Sequence, residues 1–234
     1  MKNLSAFVYY DFKNIFRDPI LKLLLFVPVL IILLMRFGLP ALVNAVPVIA
    51  DYQFLILTLF GLIIASFPAF IISFVMLDEK DEGIFIYYKV LPMSNVKFFF
   101  YRLGFIILFA WFYSFVLIIV QKSVIMSFWE MFLSAFLFAL LPPIITLITV
   151  TFSHNKIEGV TMMKFLNFIL FLPVAAFFIH PPFKFIFGII PVFWSFRIME
   201  TTASAGLFLF GFFAGMLLHF GVLLYMLRIF MKRV

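Results

Sequence analysis

The chain alternates long apolar runs with short polar interruptions, and the lengths of both carry the first argument. A run of about 20 apolar residues matches the hydrocarbon thickness of a bilayer at the helical rise, so each such run reads as a membrane-crossing helix. On this pattern, crossings are predicted at residues 19–36, 52–77, 98–120, 128–152, 160–179 and 205–229 of an all-α membrane protein. Residues 1–18 are too polar to cross. There Phe7, Tyr10, Phe12, Ile15 and Phe16 recur among Lys2, Asp11, Lys13, Asn14, Arg17 and Asp18, as in an elbow helix lying in the membrane interface. A secretory signal is the alternative, but its apolar part would begin late and follow two aspartates.

The interruptions are equally informative. Asp78, Glu79, Asp81 and Glu82 gather four of the chain's ten acidic residues around Lys80. Ionised groups at that density cannot sit in hydrocarbon, so residues 78–97 read as a water-exposed junction between the second and third spans. Gly83 lets the chain turn, an apolar stretch from Ile84 to Leu91 follows, and Pro92 with Ser94 stops it. A short helix held outside the membrane is predicted there. Phe37 to Asp51, with Gly38, Pro40 and Pro47, reads as a connection, and Ser153 to Gly159 as a small polar loop. Pro142 and Pro143 remove two backbone donors within the fourth span and predict a kink or break. Residues 180–200 are apolar but cut by Pro181, Pro182, Gly188 and Pro191, and they hold Lys184, Arg197 and Glu200. A full crossing there would strand the basic tail on the wrong side, so short re-entrant or outer helices are expected before the sixth span.

Composition sharpens this picture. With 67% hydrophobic residues, 12% charged residues and a mean hydropathy of +1.26, the chain lies outside the soluble globular range. The absence of cysteine removes disulfides and thiolate chemistry. The 39 phenylalanines suggest an aromatic substrate path, but lipid-facing filler in place of leucine explains them more simply. A net charge of +7 raises nucleic acid as a partner, yet the cations flank apolar runs instead of forming a stripe, so no nucleic acid is expected. Topology explains them. With the amino terminus inside, Lys2, Lys13, Arg17, Lys22, Lys80, Lys89, Lys97, Arg102, Lys156, Lys164, Arg228, Lys232 and Arg233 fall on the cytoplasmic side. Only Arg36, Lys122, Lys184 and Arg197 fall outside. That asymmetry predicts both termini in the cytoplasm of a multi-pass protein of the cell membrane.

Catalytic chemistry is hard to find in these residues. There is no phosphate-binding Gly-x-x-x-x-Gly-Lys-Ser/Thr, no His-Glu-x-x-His and no Gly-x-Ser-x-Gly, so neither an enzyme nor a cofactor or metal site is expected in this chain. His154, His180 and His219 lie far apart and read as loop or packing residues. Ionisable side chains are nearly absent from the span interiors, which argues against a proton or sodium relay. Ser66, Ser73, Ser114, Thr146, Thr149 and Asn167 are the neutral polar exceptions. Two readings of them stand: a path for an amphiphile, or side-chain bonding within and between helices. Gly211 and Gly215 form a Gly-x-x-x-Gly whose simpler reading is close helix packing.

At the acidic junction the chain resembles the permease subunits of ABC-2 type exporters, in which the second span ends in an acidic Glu-Gly stretch, followed by a short helix and a Pro-Ser-like stop. Here these are Glu82-Gly83 and Leu91-Pro92-Met93-Ser94. The elbow, the six spans and the short helices before the last span extend the likeness over the whole chain. Within that family it is most similar to the fluoroquinolone-export permease type, through Asp78-Glu79-Lys80-Asp81-Glu82-Gly83 and Pro191-Val192-Phe193-Trp194. It departs at Gly83-Ile84-Phe85-Ile86, where the family has Gly-Thr-Leu-Glu. The resemblance implies a permease moving a hydrophobic or amphiphilic substrate (drug-like, lipid or peptide). It also implies a second permease subunit, identical or a sister, surrounding membrane lipid, and a separate ABC ATPase subunit that carries ATP and Mg. Glu79, Glu82, Gly83, Phe85, Tyr88 and Lys89 would then form the ATPase-coupling surface, because an apolar cytoplasmic helix can fill a partner's groove. A helix resting on the membrane surface is the competing account of that segment. A non-ABC polytopic scaffold or assembly factor is the alternative for the whole chain, with a membrane-embedded enzyme third.

Overall fold

The computed structural model describes residues 2–85, 95–121, 124–180, 182–202 and 204–233, with side chains from Tyr10 onward and, in the third span, from Phe99 onward. Among these residues there are six helices long and apolar enough to cross a membrane, and no strand. Helix α1 (Lys2–Arg17) stops at Asp18, whose carboxylate accepts the N–H groups of Ile20 (2.8 Å) and Leu21 (3.3 Å) and starts the next helix with Pro19 in its first turn.

The first span, α2 (Pro19–Ala45), runs well beyond its expected end at residue 36. Pro40 has no N–H for the carbonyl one turn back. The helix absorbs the defect by widening into a π turn over Leu34–Gly38, where the Leu39 N–H reaches the Leu34 carbonyl. Gly38 and Pro40 therefore mark the helix without ending it, and the connection shrinks to Val46 and a 3₁₀ turn, Pro47–Tyr52.

The second span, α3 (Gln53–Asp81), continues through the first acidic residues instead of ending at Leu77. It stops where Gly83 adopts a φ of +71°, with the N–H groups of Glu82 and Gly83 closing on the carbonyls of Asp78 (2.9 Å) and Lys80 (3.2 Å). Helix α4 (Asn95–Val120) is the third span. The fourth breaks as Pro142 and Pro143 predict, into α5 (Phe128–Ala139) and α6 (Leu141–Phe152), with a tightened turn at Leu140.

The fifth span, α7 (Lys156–Phe171), starts earlier than the expected residue 160. Asn155 accepts the Glu158 N–H at 3.0 Å while the Glu158 carboxylate reaches back to the His154 N–H at 2.8 Å, so most of the expected loop becomes a helix cap and first turn. It tightens into a 3₁₀ stretch, Leu172–Phe178. Another 3₁₀ stretch, Phe183–Ile189, and a short helix, α8 (Pro191–Glu200), come before the last span, α9 (Ala205–Arg233).

The second and fourth spans make the centre. In their most apolar stretches 61% and 72% of residues are buried, against 22%, 28% and 28% for the first, fifth and sixth, which leaves those helices with an outward apolar face. Helix α8 lies along α9 because Gly211 and Gly215 clear the way. A β-carbon at Gly211 would meet Ile198 at 3.0 Å, and one at Gly215 would meet Leu137 at 2.8 Å and Trp194 at 2.9 Å. The Gly-x-x-x-Gly is thus used inside the chain. The start of α2, the end of α3, the start of α4, the end of α6, the start of α7 and the end of α9 gather at one end of the bundle, here called the acidic end.

Candidate functional site

Four cations organise the acidic end, each holding a helix terminus. Lys80 Nζ donates to the carbonyls of Val150 (2.8 Å) and Ser153 (2.7 Å), occupying acceptors that α6 leaves open at its end. Arg233 donates to the Thr151 carbonyl at 3.3 Å and lies 4.8 Å from the Phe152 ring. Lys156 pairs with Asp78 at 2.7 Å and with Asp18 at 3.7 Å, joining the start of α7 to the end of α3 and the start of α2. These latter side chains are 30–46% exposed, so each pair contributes about 1 kcal/mol or less.

The fourth cation differs in kind. Arg102, only 2% exposed, forks onto two carboxylates from two other elements. Its Nε and Nη2 donate to Asp11 at 3.0 and 2.6 Å, and its Nη1 and Nη2 donate to Glu79, each at 2.5 Å. The two carboxylates are themselves 8% exposed. One guanidinium thus ties α1 to the end of α3 from within the third span. Removing one partner of such a buried pair leaves charge without compensation and costs about 3–5 kcal/mol.

These positions correct two expectations. Of the acidic junction, Asp81 and Glu82 are exposed, whereas Glu79 is buried and engaged by Arg102. A carboxylate at the end of a helix is able to sit below the surface once a guanidinium satisfies its oxygens. Phe85, expected to face a partner's groove, is 8% exposed within this chain: it meets Phe99 edge-on at 5.8 Å, and Phe99 meets Phe230 at 4.8 Å. The turn at Gly83 sends the chain back onto the ends of α4 and α9, where that ring completes the core. No β-carbon would clash at Gly83, so its requirement is conformational alone. Tyr88 and Lys89 lie outside the described residues.

Asp11 and Arg102 were not singled out from the sequence as site residues. The available signal was an arginine a few residues inside an apolar run, which requires a carboxylate somewhere near its depth.

Beside this network Asn14, Arg17, Asp18, Asp78, Glu79 and Glu82 line an open cleft of about 650 Å³ with walls that include Leu21, Val75 and Ile84. The neutral polar residues of the spans do not converge in the same way. Ser66 and Asn167 share a cavity of about 110 Å³ between α3 and α7 with Phe67, Phe70 and Phe171. Ser66 donates to the Leu62 carbonyl of its own helix at 2.9 Å, and Thr146 donates across to the Ala69 carbonyl at 3.4 Å. Ser73, Ser114 and Thr149 are fully buried between helices. Among the described residues no group of three or more His, Asp or Glu side chains is arranged to hold a metal ion.

A family model described as "Fluoroquinolones export permease protein Rv2686c-like" matches residues 11–227. Two curated relatives from Mycobacterium tuberculosis are similar to the chain: the fluoroquinolones export permease proteins Rv2686c of strain H37Rv and MT2760 of strain CDC 1551. Each is 27% identical over 221 residues, covering 87% of this chain and 84% of the relative. No solved structure matches. The matched region opens at Asp11 and closes at Leu227, so it contains Asp11, Glu79 and Arg102 and all six crossing helices except the last residues of α9. On that match the chain, a multi-pass membrane protein, belongs to the Rv2686c-like family of fluoroquinolone export permeases.

Proposed function

We propose that the chain is the membrane-spanning subunit of an ATP-driven ABC-2 exporter, working as a pair with an identical or sister permease and with separate ATPase subunits that bind ATP and Mg. The observation that carries this is the convergence of all six spans on the acidic end, which leads directly into the segment after Gly83. ATP-driven transport by a chain with no phosphate-binding loop needs a separate ATPase, and a cross-linked set of helix ends is where its push can reach every span. In this reading α1 is the elbow, residues 78–97 form the coupling segment, and the acidic end faces the cytoplasm of the cell membrane. Glu82, Gly83, Tyr88 and Lys89 meet the ATPase, while Glu79 and Phe85 support that surface from within. The stretch Phe183–Ile189 with α8 forms a re-entrant pair: Trp194 Nε1 donates to the Gly188 carbonyl at 2.9 Å, and Gly188 shares a groove with Leu217 and Gly221 of α9, well inside that helix.

The substrate class proposed is a hydrophobic or amphiphilic compound. The relatives' names point to fluoroquinolones, and Ser66 with Asn167 supplies a polar patch in an otherwise apolar wall. Ser73, Ser114, Thr146 and Thr149 would be reached only when the helices separate. The test is purification of the gently solubilised complex, followed by nucleotide-dependent efflux of a fluoroquinolone from vesicles. An ATPase should co-purify and efflux should need ATP; a permease that purifies alone and moves nothing would favour a scaffold. For orientation, a single cysteine replacing Asn155 should be shielded from an impermeant thiol reagent in intact cells, and one replacing Val48 should react.

A further inference from the structure

The acidic end contains joints of very unequal stiffness. Lys156 and its carboxylates are substantially exposed and are free to part and re-form in water. Arg102 is enclosed, and Ile15, Val75 and Leu103, which lie one helical turn or one residue along the chain from Asp11, Glu79 and Arg102, are all 5% exposed or less. Opening it would leave the enclosed guanidinium and the Asp11 carboxylate unpaired, an arrangement strongly disfavoured relative to the paired state. The pairing is also oriented. Nε and Nη2 engage Asp11, while Nη1 and Nη2 engage Glu79, so the plane of the guanidinium sets the angle between α1 and the end of α3. Close by along both helices, Phe12 of α1 packs edge-on against Phe105 of α4 at 5.4 Å, a second contact that opposes rotation about the first.

We infer that Asp11, Glu79 and Arg102 form a permanent clamp, so that α1, the end of α3 and the start of α4 move as one rigid body against α7 throughout the transport cycle. The inference rests on the exporter reading for the cycle itself, but the clamp is a property of this chain alone. Arg102 is a positioning residue in this account: it holds the end of α3 at a set angle to the amino-terminal helix. A latch that opened in each cycle would require the buried charges to separate. A permanent clamp requires that they never do, and the two have opposite consequences when the contact is locked.

The chain contains no cysteine, so the test needs no background substitutions. Phe12→Cys with Phe105→Cys in the full-length protein, in membranes, should react quickly with a short bifunctional thiol reagent. Adding Arg102→Gln should slow that cross-linking by about tenfold, because α1 is released. In the complex with its ATPase, the locked pair should retain efflux and efflux-coupled hydrolysis within about twofold of the unlocked pair. Arg102→Lys keeps the charge but loses the fork and should lower coupled hydrolysis by about tenfold at unchanged membrane content. Glu79→Arg with Arg102→Glu preserves one guanidinium and two carboxylates and should recover most of that loss. Transport abolished by locking, or cross-linking indifferent to Arg102→Gln, would overturn the clamp. If wild-type protein shows no nucleotide-dependent efflux, the exporter reading fails, and the clamp is still decided by the cross-linking rates in membranes.

Discussion

Among the described residues, the three-charge clusters at Arg102 and at Glu200 stand at different places in this fold, and they do different work. Arg102 joins residues 91 and 23 positions away, from two other elements, and is almost fully enclosed. Glu200 accepts from Lys184 at 3.1 Å and from Arg197 at 2.6 Å, partners 16 and 3 positions away, with all three side chains 11–24% exposed. The first cluster is a tertiary cross-link between helices. The second staples one local excursion, the 3₁₀ stretch and α8, to itself, helped by the Arg197 guanidinium 5.9 Å from the Phe185 ring. Burial and sequence separation therefore predict which cluster the whole bundle depends on: a long-range ion pair shut off from water resists rearrangement, whereas a short-range, partly wet one mainly sets local shape.

The strongest way to break this contrast is Arg102→Gln. It leaves the buried carboxylates of Asp11 and Glu79 without their shared cation and should lower stability by about 3–5 kcal/mol, read as a large drop in the thermal midpoint of the purified protein. Close behind is Phe85→Ala. The ring fills the same end of the core, so its loss should cost about 3 kcal/mol in this chain alone, with no ATPase present. That outcome would separate a core residue from a docking residue, since a docking residue would leave the isolated permease unaffected.

A smaller effect sharpens the other side of the comparison. Gly215→Val forces new atoms against Leu137 and Trp194 and should cost about 2 kcal/mol by parting α8 from α9, without changing the Phe12 to Phe105 cross-linking rate. Smallest is Glu200→Gln, which weakens a partly exposed cluster and should cost about 1 kcal/mol, measured as the same thermal midpoint. If Glu200→Gln proved as damaging as Arg102→Gln, exposure and sequence separation would not rank these clusters.

Much of the architecture was legible along the chain because membrane solvation makes it a one-dimensional problem. Runs of apolar residues set the number of crossings, and Pro142 with Pro143 set the break in the fourth. Gly83, after a helix rich in acids, marked the stop that its positive φ provides. Prolines were less reliable as boundaries. Pro40 reads as the end of a helix, but a π turn accommodates it, because continuing the span satisfies more backbone groups than ending it.

What the sequence determined by itself is the solvent of each segment: which residues need hydrocarbon, which need water, and how often the chain passes between them. The tertiary structure alone decided which charged ends meet. Asp11, Glu79 and Arg102 lie on three separate elements, and nothing in their local patterns says that α1 folds back against the third span. Likewise Phe85 reads as an aromatic on a cytoplasmic helix until Phe99, itself packed on Phe230, is brought beside it. The physical reason is that hydropathy acts residue by residue, whereas a buried ion pair or a core ring owes its stability to partners that only packing supplies.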